Sequence, residues 1–434
     1  MKSNGVKIGV IGCGTIGTGV VKCLLENDKY LQRHLGFPLQ LTRVADLFPR
    51  KKRPVKIPAG VMTKDSDAVL NDPEIDIIVE LVGGTTFAKQ VVLKAMRNGK
   101  NVVTANKALL AKHGLELHKT AVKNGVDLYY EASVGGGIPV IKTLREAFVG
   151  NKIDAVWGIL NGTCNYMLTK MTDEALTFEQ ALKEATVNGY AEADPTLDIG
   201  GFDAQHKIGI LASLAFGQWI PQNKIYVEGI EKVTDLDIKC ADEMGYVIKL
   251  LGIAKVENKA ISVRVNPSFI PKTTMLGNVK DAFNAIEIDG EPIGSAILTG
   301  LGAGMGATSS AVVADIVDIA RNIASGSAGR LSALTFMDKE LRFKKIDDIK
   351  TRYYLRFKVE DKPGVIAKIA KVLGDRNISL SSVIQHEPHS ETKNVHATFM
   401  THLALEKDIR AAVKKINNFK FVKAKTTIFR VESD

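Results

Sequence analysis

The sequence predicts an α/β chain: a doubly wound parallel sheet first, an α+β region after it, and a small β-α-β-β-α-β module at the end. Three observations predict it. Short Ile/Val/Leu runs alternate with helical stretches over residues 6–134. A glycine-rich turn stands between the first such run and the first helix. After a polar stretch at 326–350, the apolar rhythm resumes as strand, helix, strand, strand, helix, strand.

A chain of 434 residues accommodates two or three domains, and 45% hydrophobic with 24% charged residues is ordinary for a globular protein. No run of 18 apolar residues occurs, so no membrane span is read, and the early glycine motif leaves no room for a signal peptide. A cytoplasmic protein is expected. The net charge is +10, but residues 351–434 hold 16 Lys and Arg against 9 Asp and Glu, leaving 42 against 39 elsewhere. Lys407, Arg410, Lys414 and Lys415 fall at helical spacing, as on a solvated face. Without interleaved aromatics or a nucleic-acid motif, no nucleic-acid partner is expected. Cys13, Cys23, Cys164 and Cys240 form no C-x-x-C pair and read as small buried residues.

VKIGVIG (6–12) reads as a buried strand, followed by Gly12-Cys-Gly14-Thr15-Ile16-Gly17 and the helix GVVKCLLEN. The first glycine permits a tight turn, the second admits a pyrophosphate, and the third lets helix and strand pack closely. The helix start, with Thr15 and Ile16, offers unpaired N–H groups to phosphate. This is a Rossmann-type dinucleotide loop. The next strand, LQLTRVAD, ends on Asp46, where an acid bonds the ribose of NAD and repels the extra phosphate of NADP. The run Arg50-Lys51-Lys52-Arg53 argues the other way, so NAD and NADP both stay open. Strands follow at 75–82, 101–103 and 126–134, with helices at 87–97 and 109–123, completing a domain over 1–140.

Strand ends carry the chemistry of such sheets. Here they present VVTANK, with Thr104 and Lys107, and EASVGGGIP, starting at Glu131. Together with LNGTCNY, GYAEADPTLDIGGFDAQHK and TGLGAGMGATSSAVVAD, these runs resemble the signature segments of homoserine dehydrogenases, in order and spacing, across essentially the whole chain. The resemblance implies reversible NAD(P)-dependent interconversion of L-homoserine and L-aspartate 4-semialdehyde, in the route to threonine, methionine and isoleucine. It implies a substrate-binding and dimerisation domain at 141–307, and a homodimer or homotetramer. It adds Thr104, Lys107, Gly302 and Gly304 to the cofactor loop Gly12, Gly14, Thr15, Ile16 and Gly17.

Asp203 and Lys207 open an apolar helix as i,i+4 neighbours. A surface salt bridge is the plain reading, but Glu192, Asp194 and Asp198 lie just upstream, and carboxylates facing a lysine suit a zwitterionic amino acid. By the resemblance, Lys207 is the acid/base residue, with Lys107 and Asp203 beside it. Glu192 and Asp198 take the substrate ammonium, and Thr163 and Tyr190 are further substrate contacts. The Glu131 carboxylate with the carbonyls of Val134, Gly136 and Ile138 matches the family's monovalent-cation site, implying structural sodium.

Residues 308–325 form an amphipathic helix expected to return to the nucleotide domain, and 326–350 reads as a linker. The tail, 351–434, is ferredoxin-like. With Asp361-Lys-Pro363-Gly364-Val365 in its first turn and Asn377-Ile378-Ser379 after its helix, it resembles an ACT domain, implying L-threonine as effector. A tail joined by a linker is expected to be separable. Three other readings stay open: a thiohemiacetal-forming dehydrogenase using Cys164, a 2-hydroxyacid dehydrogenase with an ACT tail, and an amino-acid sensor without catalysis.

Overall fold

β1 (Val6–Ile11) is a run of branched apolar residues, buried almost throughout, as a central parallel strand requires. The computed structural model describes residues 5–191, 194–330, 334, 340–385 and 394–432. Beside β1 lie β2 (Leu39–Ala45), β3 (Met62–Thr63), β4 (Ile77–Glu80), β5 (Asn101–Thr104) and β6 (Leu128–Tyr129), all parallel, in the order β3-β2-β1-β4-β5-β6. The order reverses at β1, so the crevice for a ligand opens beyond the carboxyl ends of β1 and β4. The strand expected at 126–134 stops at Tyr129. There the Ser133 hydroxyl and amide both donate to the Tyr130 carbonyl, at 2.7 and 2.9 Å, and wind Glu131–Ser133 into a 3₁₀ turn.

Two units divide the chain. The first holds this sheet and comprises Met1–Gly162, Asp203–Ile225 and Ala282–Glu340. Its core joins Val6, Ile8 and Val10 to Val20, Val312, Ile316 and Ile319. Each such side chain stabilises by about 1.5–3 kcal/mol on leaving water. Helix Met305–Ala324 packs against helix Thr15–Glu26 closely enough that a Cβ on Gly19 would sit 2.3 Å from Ser309 Oγ. The same unit contains the antiparallel strands Lys152–Ile159, Phe283–Glu291 and Gly294–Leu301.

In the second unit, Tyr246–Glu257 and Ala260–Pro271 pair antiparallel over their whole length. The C-terminal module has strand order Thr427–Val431, Lys350–Glu360, Asn394–Thr401, Leu380–Gln385, all antiparallel. Helices Val365–Gly374 and Glu406–Ile416 cover the face bearing Tyr353, Leu355 and Phe357, the ferredoxin-like arrangement expected. The opposite face carries Tyr354, stacked on Phe269 at 4.6 Å between centroids.

Strand pairing argues against the expected separability of the tail. Arg342–Phe343, inside the stretch read as a linker, pairs with Ala260–Ile261. Strand Thr427–Val431 pairs in parallel with Ser268–Phe269. Backbone hydrogen bonds and the Phe269 stack therefore build the module into the second unit. Among the described residues, no helix is long and apolar enough to cross a membrane.

Candidate active site

The glycine loop has the geometry its spacing predicts. Gly12 sits at φ +97°, and a Cβ there would meet the Leu81 carbonyl at 2.5 Å. A Cβ on Gly17 would lie 2.1 Å from the Gly12 carbonyl, so only hydrogen lets the helix approach the strand. Gly14 faces open space and begins helix Thr15–Glu26, whose first turn, with Thr15 and Ile16, has no side-chain cap. These residues fit a dinucleotide pyrophosphate: nothing crowds Gly14, and the first helical turn has no side-chain cap on its N–H groups.

Asp46 follows β2 and is largely enclosed. Its Oδ2 accepts from Cys13 N–H at 2.7 Å, its Oδ1 accepts from Phe48 N–H at 2.8 Å, and Arg53 pairs with it at 3.1 Å. Arg53 thus turns inward rather than joining Arg50 and Lys51 at the surface.

At the end of β5, Thr104 is buried and donates to Glu80 Oε2 at 2.6 Å, while accepting from Asn106 N–H at 3.1 Å. Asn106 caps helix Lys107–Asn124 by accepting from Leu109 N–H at 3.0 Å. This chain of bonds fixes where Lys107 begins its helix. Burial pushes the Glu80 carboxyl up, with the Thr104 hydroxyl opposing.

Lys107 reaches Asp203, with Nζ 2.6 Å from Oδ1. Asp203 and Lys207 sit one turn apart in helix Phe202–Phe216, and Lys207 Nζ donates to Asp203 Oδ2 at 2.7 Å. Lys207 also donates to the Leu160 carbonyl at 2.7 Å, and Asn161 donates to Asp203 Oδ2 at 3.0 Å. Burial pushes the Asp203 carboxyl up, but the ammonium groups of Lys207 and Lys107 outweigh it and hold it well below the usual carboxylate range. Asp203 and Lys207 are buried, whereas the Lys107 side chain is 43% exposed. The carboxylate therefore stays ionised between two cations, one of them reachable.

Gly302 supports this cluster from behind. A Cβ there would collide with the Asn284 amide at 2.1 Å, and a Cβ on Gly136 would meet Gly302 at 2.6 Å. Asn284 donates to the same Leu160 carbonyl that Lys207 uses, at 3.0 Å. Gly304, at φ +108°, starts helix Met305–Ala324.

Glu131 is buried; its two carboxylate oxygens accept from the N–H groups of Ile141 and Lys142, at 2.8 and 2.7 Å. Its own N–H donates to Asp315 Oδ2 at 2.8 Å. Burial pushes the Glu131 carboxyl up to about 7, against those amides. Val134 and Ile138 are buried, Gly135 and Gly136 are left-handed, and the Ile138 carbonyl accepts from Val140 N–H at 2.8 Å.

In the second unit, Thr163 donates to the Tyr190 carbonyl at 2.7 Å, and the Tyr190 ring lies 4.7 Å from that of Tyr166. Asp198 lies in a short helix, Thr196–Ile199, and its carbonyl accepts from the Cys164 thiol at 3.2 Å, so that sulfur is buried against backbone. Glu192 lies outside the described residues. Sequence reasoning missed Glu80, Asn161, Asn284 and His206. The first was signalled by an acid inside the apolar run IDIIVELV; the others carried no periodic signal. Burial lowers the pKa of His206, against the raising influence of Asp203.

Three family models match: "Homoserine dehydrogenase, NAD binding domain" over residues 12–131, "Homoserine dehydrogenase" over 139–317, and "ACT domain" over 353–421. A homoserine dehydrogenase of Neisseria gonorrhoeae is 41% identical, with 99% of each chain covered. The crystal structure of a homoserine dehydrogenase from Thiobacillus denitrificans superimposes with a TM-score of 0.91 at 38% identity, covering 99% of this chain and 98% of that one. A hyperthermophilic archaeal homoserine dehydrogenase in complex with NADPH gives 0.62 at 26% identity, over 72% of this chain and 97% of the other. Glycine loop, paired lysines and full-length similarity agree, and the chain belongs to the homoserine dehydrogenase family of NAD(P)-dependent oxidoreductases, with a C-terminal ACT domain.

Proposed function

We propose that Lys207 is the acid/base residue in the interconversion of L-homoserine and L-aspartate 4-semialdehyde, with Lys107 beside it and Asp203 holding both. The observation that carries this is one buried carboxylate within 2.7 Å of two lysine Nζ atoms. A dinucleotide held by Gly12, Gly14 and Gly17 would supply the hydride chemistry at C4 of the substrate. In reduction, the Lys207 ammonium gives its proton to the nascent alkoxide oxygen; in oxidation, the neutral amine takes that proton from the hydroxyl. Asp203 and the Leu160 carbonyl fix Nζ, so no rotamer search precedes proton transfer. Lys107 adds positive charge where the alkoxide develops.

Lys207→Ala lowers kcat by about 10²–10⁴-fold while dinucleotide affinity persists; turnover near the parent value refutes the assignment. Gly12, Gly14, Thr15, Ile16, Gly17, Thr104, Gly302 and Gly304 serve the cofactor. The family resemblance assigns the substrate ammonium to Glu192 and Asp198, with Thr163 and Tyr190 as supporting contacts. Asp198→Asn then raises KM for homoserine more than it lowers kcat; an unchanged KM removes Asp198 from the site.

Supported by its place in the family, the enzyme works in threonine, methionine and isoleucine biosynthesis in the cytoplasm, as a homodimer or homotetramer. Its ACT domain supports L-threonine as a feedback effector. Titrating activity with threonine tests this, and indifference to it leaves the module without that role. Glu131 and the left-handed Gly135-Gly136 pair fit a structural sodium: a buried carboxylate stands beside a turn that can aim carbonyls inward. A Tm that rises with NaCl and not with choline chloride supports it; equal responses count against it.

A further inference from the structure

Within the second unit lies a cavity of about 590 Å³ whose charged and polar wall is Tyr226, Glu228, Lys232, Arg410, Lys425 and Arg430. Glu406 lines it too, but Arg430, Arg410 and Tyr353 occupy both its oxygens, at 2.6–2.9 Å. Glu228 Oε2 accepts from Arg430 and from the Tyr226 hydroxyl, at 3.1 and 3.0 Å. Its Oε1 meets only Lys232 among the described residues, at 3.6 Å, and that lysine is 75% exposed. The two arginines balance the two acids, which leaves Lys232 and the exposed Lys425 as surplus positive charge. Among the described residues, Lys425 makes no ion pair.

The segment that carries Tyr226 and Glu228 is also pressed against residues 199–201. Glu228 N–H donates to the Val265 carbonyl, and Ile230 N–H donates to the Ile199 carbonyl, both at 2.8 Å. A Cβ on Gly229 would lie 2.1 Å from the Ile199 carbonyl oxygen and 2.6 Å from Gly200 Cα. A Cβ on Gly201, at φ +82°, would come within 3.3 Å of Val227. Residues 226–230 therefore supply part of the cavity wall while leaving no spare room against the turn that follows Asp198. Packing this close passes a displacement on rather than absorbing it.

We propose that this cavity binds a small dicarboxylate, and that its occupancy alters the affinity for homoserine by shifting residues 226–230 against the Asp198 turn. Two carboxylates match the two surplus lysines in number and sign, and charge-assisted hydrogen bonds reward the match. Pro267 and Ile428, which also line the cavity, suit a short carbon chain. The effect on homoserine rests on the assignment of the substrate ammonium to Asp198; the binding does not. The two sites are distinct and share a packed segment, which is what an allosteric coupling requires.

The test is calorimetric titration of the full chain with sodium succinate, against sodium chloride at equal ionic strength. Succinate binds saturably, and Lys425→Glu and Lys232→Glu each weaken it at least about fivefold, the scale of one exposed ion pair. L-Aspartate as a second probe separates two sources of the same chemistry. Tighter binding than succinate identifies an acidic amino acid whose ammonium takes Glu228 Oε1, and weaker binding identifies a plain dicarboxylate. Saturating succinate changes KM for homoserine by at least about fivefold, the lower end of ordinary allosteric coupling, and Lys425→Glu abolishes the change. No saturable heat in the parent, or equal binding in both lysine variants, overturns the site. A KM effect that survives Lys425→Glu overturns it too, because succinate then acts at the substrate site. Binding that Lys425→Glu weakens, with a smaller change in KM, overturns the coupling. An unchanged KM in Asp198→Asn overturns instead the Asp198 assignment beneath it.

Discussion

Around Asp203 one carboxylate serves two lysines, whereas around Arg430 one guanidinium serves two carboxylates. Arg430 donates to Glu406 through Nε and a terminal nitrogen, at 2.9 and 2.6 Å, and to Glu228 at 3.1 Å. Tyr353 and Arg410 close the remaining side of Glu406, each at 2.8 Å. Arg430 and Glu406 are both almost fully buried. The first cluster carries an excess of positive charge with one end in reach of a ligand. The second is charge-balanced, Arg430 and Arg410 against Glu406 and Glu228, and it lines a cavity of about 590 Å³. Burial and charge alone thus do not mark a reactive site; on the proposed role of Lys207, what distinguishes the first cluster is its unbalanced charge.

Four experiments press on that contrast. The largest effect belongs to truncation after Arg330, which removes the strands paired to Ser268–Phe269 and Ala260–Ile261 and bares Phe269, now wholly buried. Expression of that shortened chain yields aggregated or inactive protein; soluble enzyme with the parent Tm shows the module to be an appendage after all. Next comes Glu406→Gln, which leaves Arg430 buried with one acid fewer and lowers unfolding free energy by about 3–5 kcal/mol. Urea denaturation measures it, and a change below about 1 kcal/mol makes the network ornamental. Lys207→Ala is its mirror: its 10²–10⁴-fold loss of turnover comes with a smaller loss of stability than Glu406→Gln produces.

The smallest effect concerns His118, a buried titratable group with no counter-charge. Its Nε2 lies 3.3 Å from the Tyr130 hydroxyl, and burial lowers its pKa to about 4. An unfolded histidine titrates near 6.5, so between pH 4 and 6.5 the unfolded chain binds more protons than the folded one. The stability present above pH 6.5 is therefore lost as pH falls toward 4, by up to about 3 kcal/mol. Stability curves for the parent and His118→Phe should converge in slope above that window and diverge within it; identical slopes throughout would falsify the assignment.

Much of this was legible in the residues. The i,i+4 spacing of Asp203 and Lys207 signals their pairing because helix geometry is local. The glycine loop is legible because each glycine answers a distinct steric demand. Contacts between distant segments leave no such trace. Nothing in the spacing puts Lys107 against Asp203, or turns Arg53 inward while its neighbours stay out. The stretch 326–350 reads as a linker because its composition is polar, yet two residues, Arg342 and Phe343, suffice to pair with a neighbouring strand. Composition reports exposure, and short pairings escape it.

Gly302 has a consequence for how finely the site tolerates change. The Asn284 amide rests where a side chain at 302 would be, and it shares the Leu160 carbonyl with Lys207. A single methyl group there would push the amide, the amide would tug the carbonyl, and the carbonyl would carry the lysine with it. Displacements near 1 Å at a reacting centre slow chemistry about 10²-fold. On the proposed role of Lys207, the margin for error in delivering a proton is set partly by a hydrogen atom on the far side of an asparagine.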